Sequence, residues 1–408
     1  MDKRSFNNAI ILSVAQAVLG SQMPIYIILG GLVGQSLTKN VCFSTLPISL
    51  LIIGSMVSAP ILSRLMHVNG RKTGLIIGNA GGLAGSIISL LAIYIHSFDL
   101  FLLGSFICGC YMSSQGFYRF AAADTCEQKF KARAISFVLT GGLVAAIVGP
   151  SIVKISLLLD NPVPFFYPYM AVVILNLSGP ALFSLLEIPN PQKPKNKIIV
   201  ATSNQAANRT LLTMLKTPMI TVSILCGMIT YGLMNLVMTA TPMAMVGCGY
   251  IAGDAASVVS AHALAMYIPS FFTGRLIEKF GEKTIITTGM VILISAVLLA
   301  IDGTDLFNFY FSLILVGFGW NFGFIGSTSL LTKCHSISER GKIQGINDFC
   351  VFGFVALASL TSGWLMNCSS NSPELGWKLI NLTATPFIAI AVFCILFLSL
   401  FNNSVKQQ

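Results

Sequence analysis

The sequence predicts an all-α polytopic membrane protein, with twelve transmembrane helices in two six-helix repeats. Three observations carry this. Only 9% of the 408 residues are Asp, Glu, Lys or Arg, against about 25% in soluble proteins, and the mean hydropathy is +0.81. Apolar stretches long enough to cross a bilayer recur along the whole chain. Two loops at corresponding places in the two halves share one pattern. Disorder is excluded, because it needs low hydrophobicity and high charge. The net charge of +10 is spread in short clusters between apolar runs, which is not the dense basic surface a nucleic-acid groove requires.

A spanning helix needs about 20 apolar residues, since the hydrocarbon core is about 30 Å thick. Twelve stretches qualify, at 6–32, 44–66, 74–95, 100–121, 134–158, 166–187, 219–246, 255–277, 284–301, 306–331, 343–367 and 377–402. Charge, Gly, Pro or Asn marks most of the breaks. The first stretch follows Lys3-Arg4 but is too long for a signal-peptide core and lacks a small-residue cleavage site, so it reads as an uncleaved span. The stretch from Glu187 to Thr217 carries Pro189, Pro191, Pro194 and five basic residues, and reads as a linker. The chain therefore divides into an N-terminal bundle (1–187), a cytoplasmic linker (188–217) and a C-terminal bundle (218–408).

Lys and Arg in short loops set orientation. With both termini cytoplasmic, twenty basic residues fall inside and only Lys39, Lys154 and Lys378 outside, with Arg119 within span four. The ten cysteines form no CxxC. Cys42, Cys248 and Cys368 fall near the outer face, and whether any of them pair is open at this point.

The halves are related. Arg64, Leu65, Gly70 and Lys72, between spans two and three, align at an offset of 211 with Arg275, Leu276, Gly281 and Lys283, between spans eight and nine. Lys131-x-Arg133 and Arg340-x-Lys342 repeat at an offset of 209. An internal duplication in a twelve-span chain is a transporter architecture.

On these residues the chain resembles the major facilitator superfamily (MFS) over its whole length. The family's loop pattern, roughly G-x-L-x-D-R-x-G-R-K, is kept in the second copy by Gly274, Leu276, Glu278, Lys279, Gly281 and Lys283. The first copy keeps Leu65, Gly70, Arg71 and Lys72, with Ser63 and His67 as departures. The resemblance implies alternating access, with a conformational latch built from these loops. In it Arg71 pairs with Asp124 at the inner end of span four when the cytoplasmic rim is closed. Gly149-Pro150 in span five is similar to the motif of proton-driven exporters, although Ala145 replaces one glycine and the Arg such exporters carry on span four is Ser105 here. The alternative reading of Gly149 and Pro150 is helix packing with a proline kink.

Ionisable groups inside spans are functional candidates. Arg119 either snorkels to the headgroups or meets an anion in the cavity. His262 either titrates or is a satisfied polar residue. Asp348 either carries a proton or is a helix-start acid. Family resemblance places spans one, four, seven and ten around the central path. This nominates Gln16, Gln22, Tyr111, Gln115, Tyr231, Asn235, Trp320 and Asn321 for solute contacts, the alternative for each being interhelical hydrogen bonding.

No HExxH, Ser-His pair, facing carboxylates or GxxxxGK loop is present in the sequence, so an enzyme, a metal site, a cofactor and ATP-driven transport are not expected. The expectation is a monomeric multi-pass protein of the bacterial inner (plasma) membrane. It moves a small organic solute, coupled to protons, with export ahead of uptake of an organic nutrient or anion, and a non-transporting sensor as the remaining class. Reporter fusions after Lys72, Lys197 and Lys342 should read as cytoplasmic, and fusions near Lys39, Gly249 and Asp302 as external. Reversal at two or more sites contradicts the topology.

Overall fold

The computed structural model describes residues 3–127, 130–160, 162–188, 210–334 and 339–405. Within them the chain is helical. Span one is α1 (Lys3–Val18) and α2 (Gln22–Leu37), joined by a 3₁₀ turn at Leu19–Ser21. Spans two and three are α3 (Leu46–Asn69) and α4 (Arg71–Tyr94). Span four is α5 (Phe98–Gly116) with α6 (Tyr118–Asp124), and spans five and six are α7 (Lys131–Leu157) and α8 (Phe166–Ser184). A short helix α9 (Leu211–Leu215) precedes span seven, α10 (Pro218–Gly247). Span eight is α11 (Ala252–Tyr267) and α12 (Ser270–Phe280), bent by 41°. Spans nine to twelve are α13 (Glu282–Asp302), α14 (Leu306–Thr332), α15 (Arg340–Asn367) and α16 (Pro373–Val405). Eleven helices among the described residues are long and apolar enough to span, or twelve with the bent pair counted as one span. Most of the proposed linker (189–209), with four of its five basic residues, and Lys406 lie outside the described residues.

Each half packs as its own bundle, α4 against α5 and α8 in the first, α13 against α14 and α16 in the second. Across the halves, α3 meets α15, α7 meets α11, and α2 meets α10 and α11. The cross-half hydrogen bonds of Thr45 with Ser359 and Gly363, and of Asn367 with Val41 and Ser44, lie at the end of the molecule that carries the loops at 38–45, 248–251 and 368–372, called here the far face. The end that carries Gly70, Asp124 and Gly281 is called the basic face. There α6 packs against α1, α5 and α7, and α12 against α11, α13 and α14, each within its own half.

The duplicated loop is a duplicated backbone. Gly70 (φ 94°, ψ 154°) and Gly281 (φ 81°, ψ 157°) each end one helix and start the next. This corner of conformational space is essentially reserved for glycine. A Cβ on Gly281 would meet nothing within 4 Å. The constraint is therefore the dihedral pair and not a close approach of spans eight and nine, as a purely steric reading of the motif would have it. Gly281→Ala and Gly281→Asn should each destabilise the protein by about 1–3 kcal/mol. Gly274→Ala, in an exposed helical turn with open space, should be neutral or slightly stabilising. Thermal unfolding in detergent reads all three. A spared Gly281→Asn would contradict the backbone argument.

Candidate functional site

The basic face carries two braces, one per half. Arg71 Nε donates to Asp124 Oδ2 at 2.7 Å. Lys333 Nζ meets Glu282 Oε1 at 2.5 Å, and Ser329 Oγ donates to the same oxygen at 3.2 Å. The offset of 211 sets Glu282 against Arg71, and the offset of 209 sets Lys333 against Asp124. The second half thus holds the same ion pair with its charges exchanged. Beside each pair a lysine meets backbone carbonyls: Lys72 Nζ donates to Ser184 O (2.8 Å) and Leu186 O (3.2 Å) at the end of α8, and Lys283 Nζ to Leu398 O (3.1 Å) within α16. Unpaired carbonyls and the negative end of the helix dipole favour a cation at the end of α8. Arg64, Gly274, Arg275 and Glu278 lie exposed on α3 and α12.

Arg71 and Asp124 do meet, but both belong to the N-terminal half. Arg71 Nε and Asp124 Oδ2 are 2.7 Å apart. The pair braces the turn between spans two and three against span four and does not bridge the two bundles. Glu282–Lys333 is the brace that sequence reading missed, although both offsets were legible.

The residues nominated for solute contact separate into two groups. Four are turned into the fold. Gln22 and Asn176 exchange side-chain amide bonds at 3.0 and 3.2 Å, tying span one to span six. Tyr111 is fully buried. Asn235 Nδ2 donates to Val355 O at 3.3 Å. Asn321 Nδ2 donates to Met266 O and Ser270 Oγ, both at 2.7 Å, and its Oδ1 accepts from Thr273 Oγ1 at 2.6 Å. Asn321 thereby satisfies backbone and hydroxyl groups at the bend of span eight, where Pro269 cannot donate.

Of the others, Tyr231 and Trp320 lie in the C-terminal half and Gln16, Gln115 and Arg119 in the N-terminal half. Trp320 stacks on Phe324 (centroids 5.3 Å apart, planes 16° apart). Tyr231 sets its edge against Trp320 at 5.4 Å, Phe324 at 5.0 Å and Phe352 at 5.8 Å. This is an aromatic shelf built from spans seven, ten and eleven. The indole Nε1 of Trp320 is buried with no hydrogen-bond partner, a costly state for a donor. From the other half, the side-chain amides of Gln16 and Gln115 converge on Gly20, where a Cβ would lie 3.4 and 2.9 Å from their nitrogens. Arg119, exposed on α6, lies within electrostatic reach of Tyr231, Tyr267 and Asp348. Phe324 and Phe352 were not singled out from sequence. Trp320 and Phe324 are four residues apart, which places them on one helix face, and that spacing was the available signal.

His262 is buried and its Nδ1 lies 2.7 Å from Leu313 O. Asp348 is exposed on α15, where its Oδ1 accepts from Asn347 Nδ2 at 3.1 Å. A Cβ on Gly149 would lie 2.5 Å from Ser21 O and 3.0 Å from Pro24 Cβ, so Gly149 lets span five approach the broken turn of span one. α7 runs unbroken through Pro150. No cluster of three or more metal-ligating side chains occurs among the described residues.

Residues 224–407 match the family model described as Major Facilitator Superfamily. The chain is 40% identical over 385 residues to the riboflavin transporter RfnT of Brucella anthropi, covering 94% of each chain. It is 30% identical to the uncharacterized MFS-type transporter YddS of Bacillus subtilis, covering 88% of this chain and 85% of the relative. The crystal structure of the nucleoside transporter NupG superimposes with a TM-score of 0.70 at 16% identity, covering 97% of this chain and 98% of the other. The chain belongs to the major facilitator superfamily; it is a membrane transporter and not an enzyme.

The braces differ in burial, and that sets their weight. Arg71 and Asp124 are 28% and 47% exposed, whereas Glu282 is 10% exposed beside a 63% exposed Lys333. An exposed pair contributes about 0–1 kcal/mol. Removing Lys333 strands a largely buried carboxylate, at about 1–3 kcal/mol or more. Lys333→Ala should therefore lower the unfolding midpoint more than Asp124→Ala. The exchanged double variant Arg71→Asp/Asp124→Arg should recover what either single change loses. Equal losses from Lys333→Ala and Asp124→Ala, or no recovery in the exchanged pair, would contradict the brace.

Proposed function

We propose that the chain carries riboflavin or a closely related flat heteroaromatic solute by alternating access, with the basic face toward the cytoplasm. The observation that carries this reading is the aromatic shelf with its unpartnered indole N–H. A flavin offers what these groups lack: a tricyclic ring to stack on Trp320 and Phe324, ring carbonyls to accept from Trp320 Nε1 and the Arg119 guanidinium, and a hydroxylated side chain for Gln16 and Gln115. Each favourable aromatic pairing contributes about 0.5–1.5 kcal/mol beyond burial. The 40% identity to a riboflavin transporter over nearly all of both chains supports the same solute class.

In this reading the structure is open to the cytoplasm. Its halves are joined at the far face, and Arg119 and Asp348 stand on opposite halves as the charges that approach when the basic face closes. Asp348 is also the proposed proton carrier, because it is an exposed acid within electrostatic reach of Arg119 on the other half. His262, whose ring is anchored to a backbone carbonyl, is assigned to packing. Outward movement of the same solute class is the second reading. It rests on Gly149-Pro150, and the same vesicles loaded from within test it.

Purified protein in liposomes should move riboflavin, with lumiflavin competing and glucose not. Trp320→Phe keeps the stack and loses the donor, and should weaken apparent affinity about tenfold, equivalent to about 1.4 kcal/mol. Trp320→Ala should weaken it further. Asp348→Asn should abolish the response to an imposed pH gradient. Flux of another solute class with no flavin movement would overturn the reading.

A further inference from the structure

We infer that the far face carries a thiol–disulfide lock, which holds the two halves together when oxidised and frees them when reduced. Cys42 and Cys368 are joined by a disulfide 326 residues apart in sequence, with Cα atoms 5.5 Å apart. Cys42 lies in the loop that leads into α3, in the N-terminal half. Cys368 lies immediately beyond α15, in the C-terminal half. The bond is therefore a covalent link between the bundles, and it sits on the seam that joins them. Around it, Thr45 Oγ1 donates to Ser359 O (2.6 Å) and accepts from Gly363 N (3.1 Å). Asn367 Nδ2 donates to Ser44 Oγ (2.8 Å) and Val41 O (3.1 Å).

The hydrogen bonds can be exchanged for water as the seam parts. The disulfide cannot, because it keeps its Cα atoms within about 7 Å of each other. While it stands, the first turn of α3 and the last turn of α15 stay in contact and the far face is closed. No second disulfide forms among the described residues. Cys368 is exposed and Cys42 half-buried, so a soluble thiol can reach the bond. In the reducing step a dithiol supplies two electrons and two protons. One of its thiolates attacks a cysteine Sγ, the Sγ–Sγ bond breaks, and the second thiol resolves the mixed disulfide. Two thiols remain at Cys42 and Cys368, and the reductant leaves as its cyclic disulfide. An oxidising disulfide reverses the sequence.

The inference rests on the reading that the far face must part for solute to pass, so its test includes a readout that needs no solute. The full chain in liposomes is treated with diamide or with dithiothreitol. Backbone hydrogen exchange is followed at 44–52 and 356–367, together with riboflavin flux. Oxidised protein should exchange slowly at both segments and carry riboflavin at least tenfold more slowly than reduced protein. Cys42→Ser and Cys368→Ser should behave as the reduced protein under both treatments, which separates this bond from oxidation elsewhere. Redox-dependent exchange without riboflavin flux would support the lock and count against the solute. Equal exchange and flux in both states, or two alkylatable thiols at these positions after diamide, would overturn it.

Discussion

The hydroxyl of Thr45 is the point on which the arrangement of the two halves turns. It bridges Ser359 O and Gly363 N on span eleven, and a Cβ on Gly363 would lie 2.3 Å from it. Two helices can come this close only where one offers a bare backbone. Ser260 Oγ repeats the device at the neighbouring seam, donating to Ala146 O on span five at 2.7 Å. Each of these hydrogen bonds is worth about 1 kcal/mol net, so it is the Cys42–Cys368 bond, and not the hydrogen bonds, that keeps the seam from being exchanged for another arrangement. On the function proposed above, two bundles joined by such contacts at one end form the bistable element that alternating access requires.

Rigidity within each bundle comes from different chemistry. Positive-φ glycines fix the turns between spans two and three and between eight and nine. A buried amide exchange locks span one to span six, and Asn321 holds the bend of span eight. The two ion pairs at the basic face show how a duplicated fold diverges. Both halves keep the geometry of one acid and one base at these places, and they exchange which helix carries which charge. Coulomb attraction does not distinguish the two assignments.

Much of this was legible in the chain. Spans follow from hydropathy and helix length, and the described helices fall where those rules put them, with ends that differ by a few residues. The duplicated Gly70 and Gly281 were legible because their backbone geometry admits little else. The roles of polar residues were not, because sequence gives a helix but not its rotation against neighbours. Gln22 and Gln115 read alike as polar residues in spans, yet one is spent on Asn176 and the other lies against Gly20. The partnership of Cys42 with Cys368 depends on how the two halves are brought together, which no local pattern encodes. The acid–base exchange between Arg71 and Glu282 was hidden because motif matching seeks the same charge twice.

The central claim is that the two bundles move as rigid bodies, with the far-face seam and the basic face opening in alternation. Distances between nitroxides on p-acetylphenylalanine test it most directly, with one pair at His67 and Glu278 on the basic face and a second at Leu159 and Ile251 on the far face. In reduced protein, riboflavin should shorten the first distance and lengthen the second. Distances that both stay fixed, or that change in the same sense, would contradict the account.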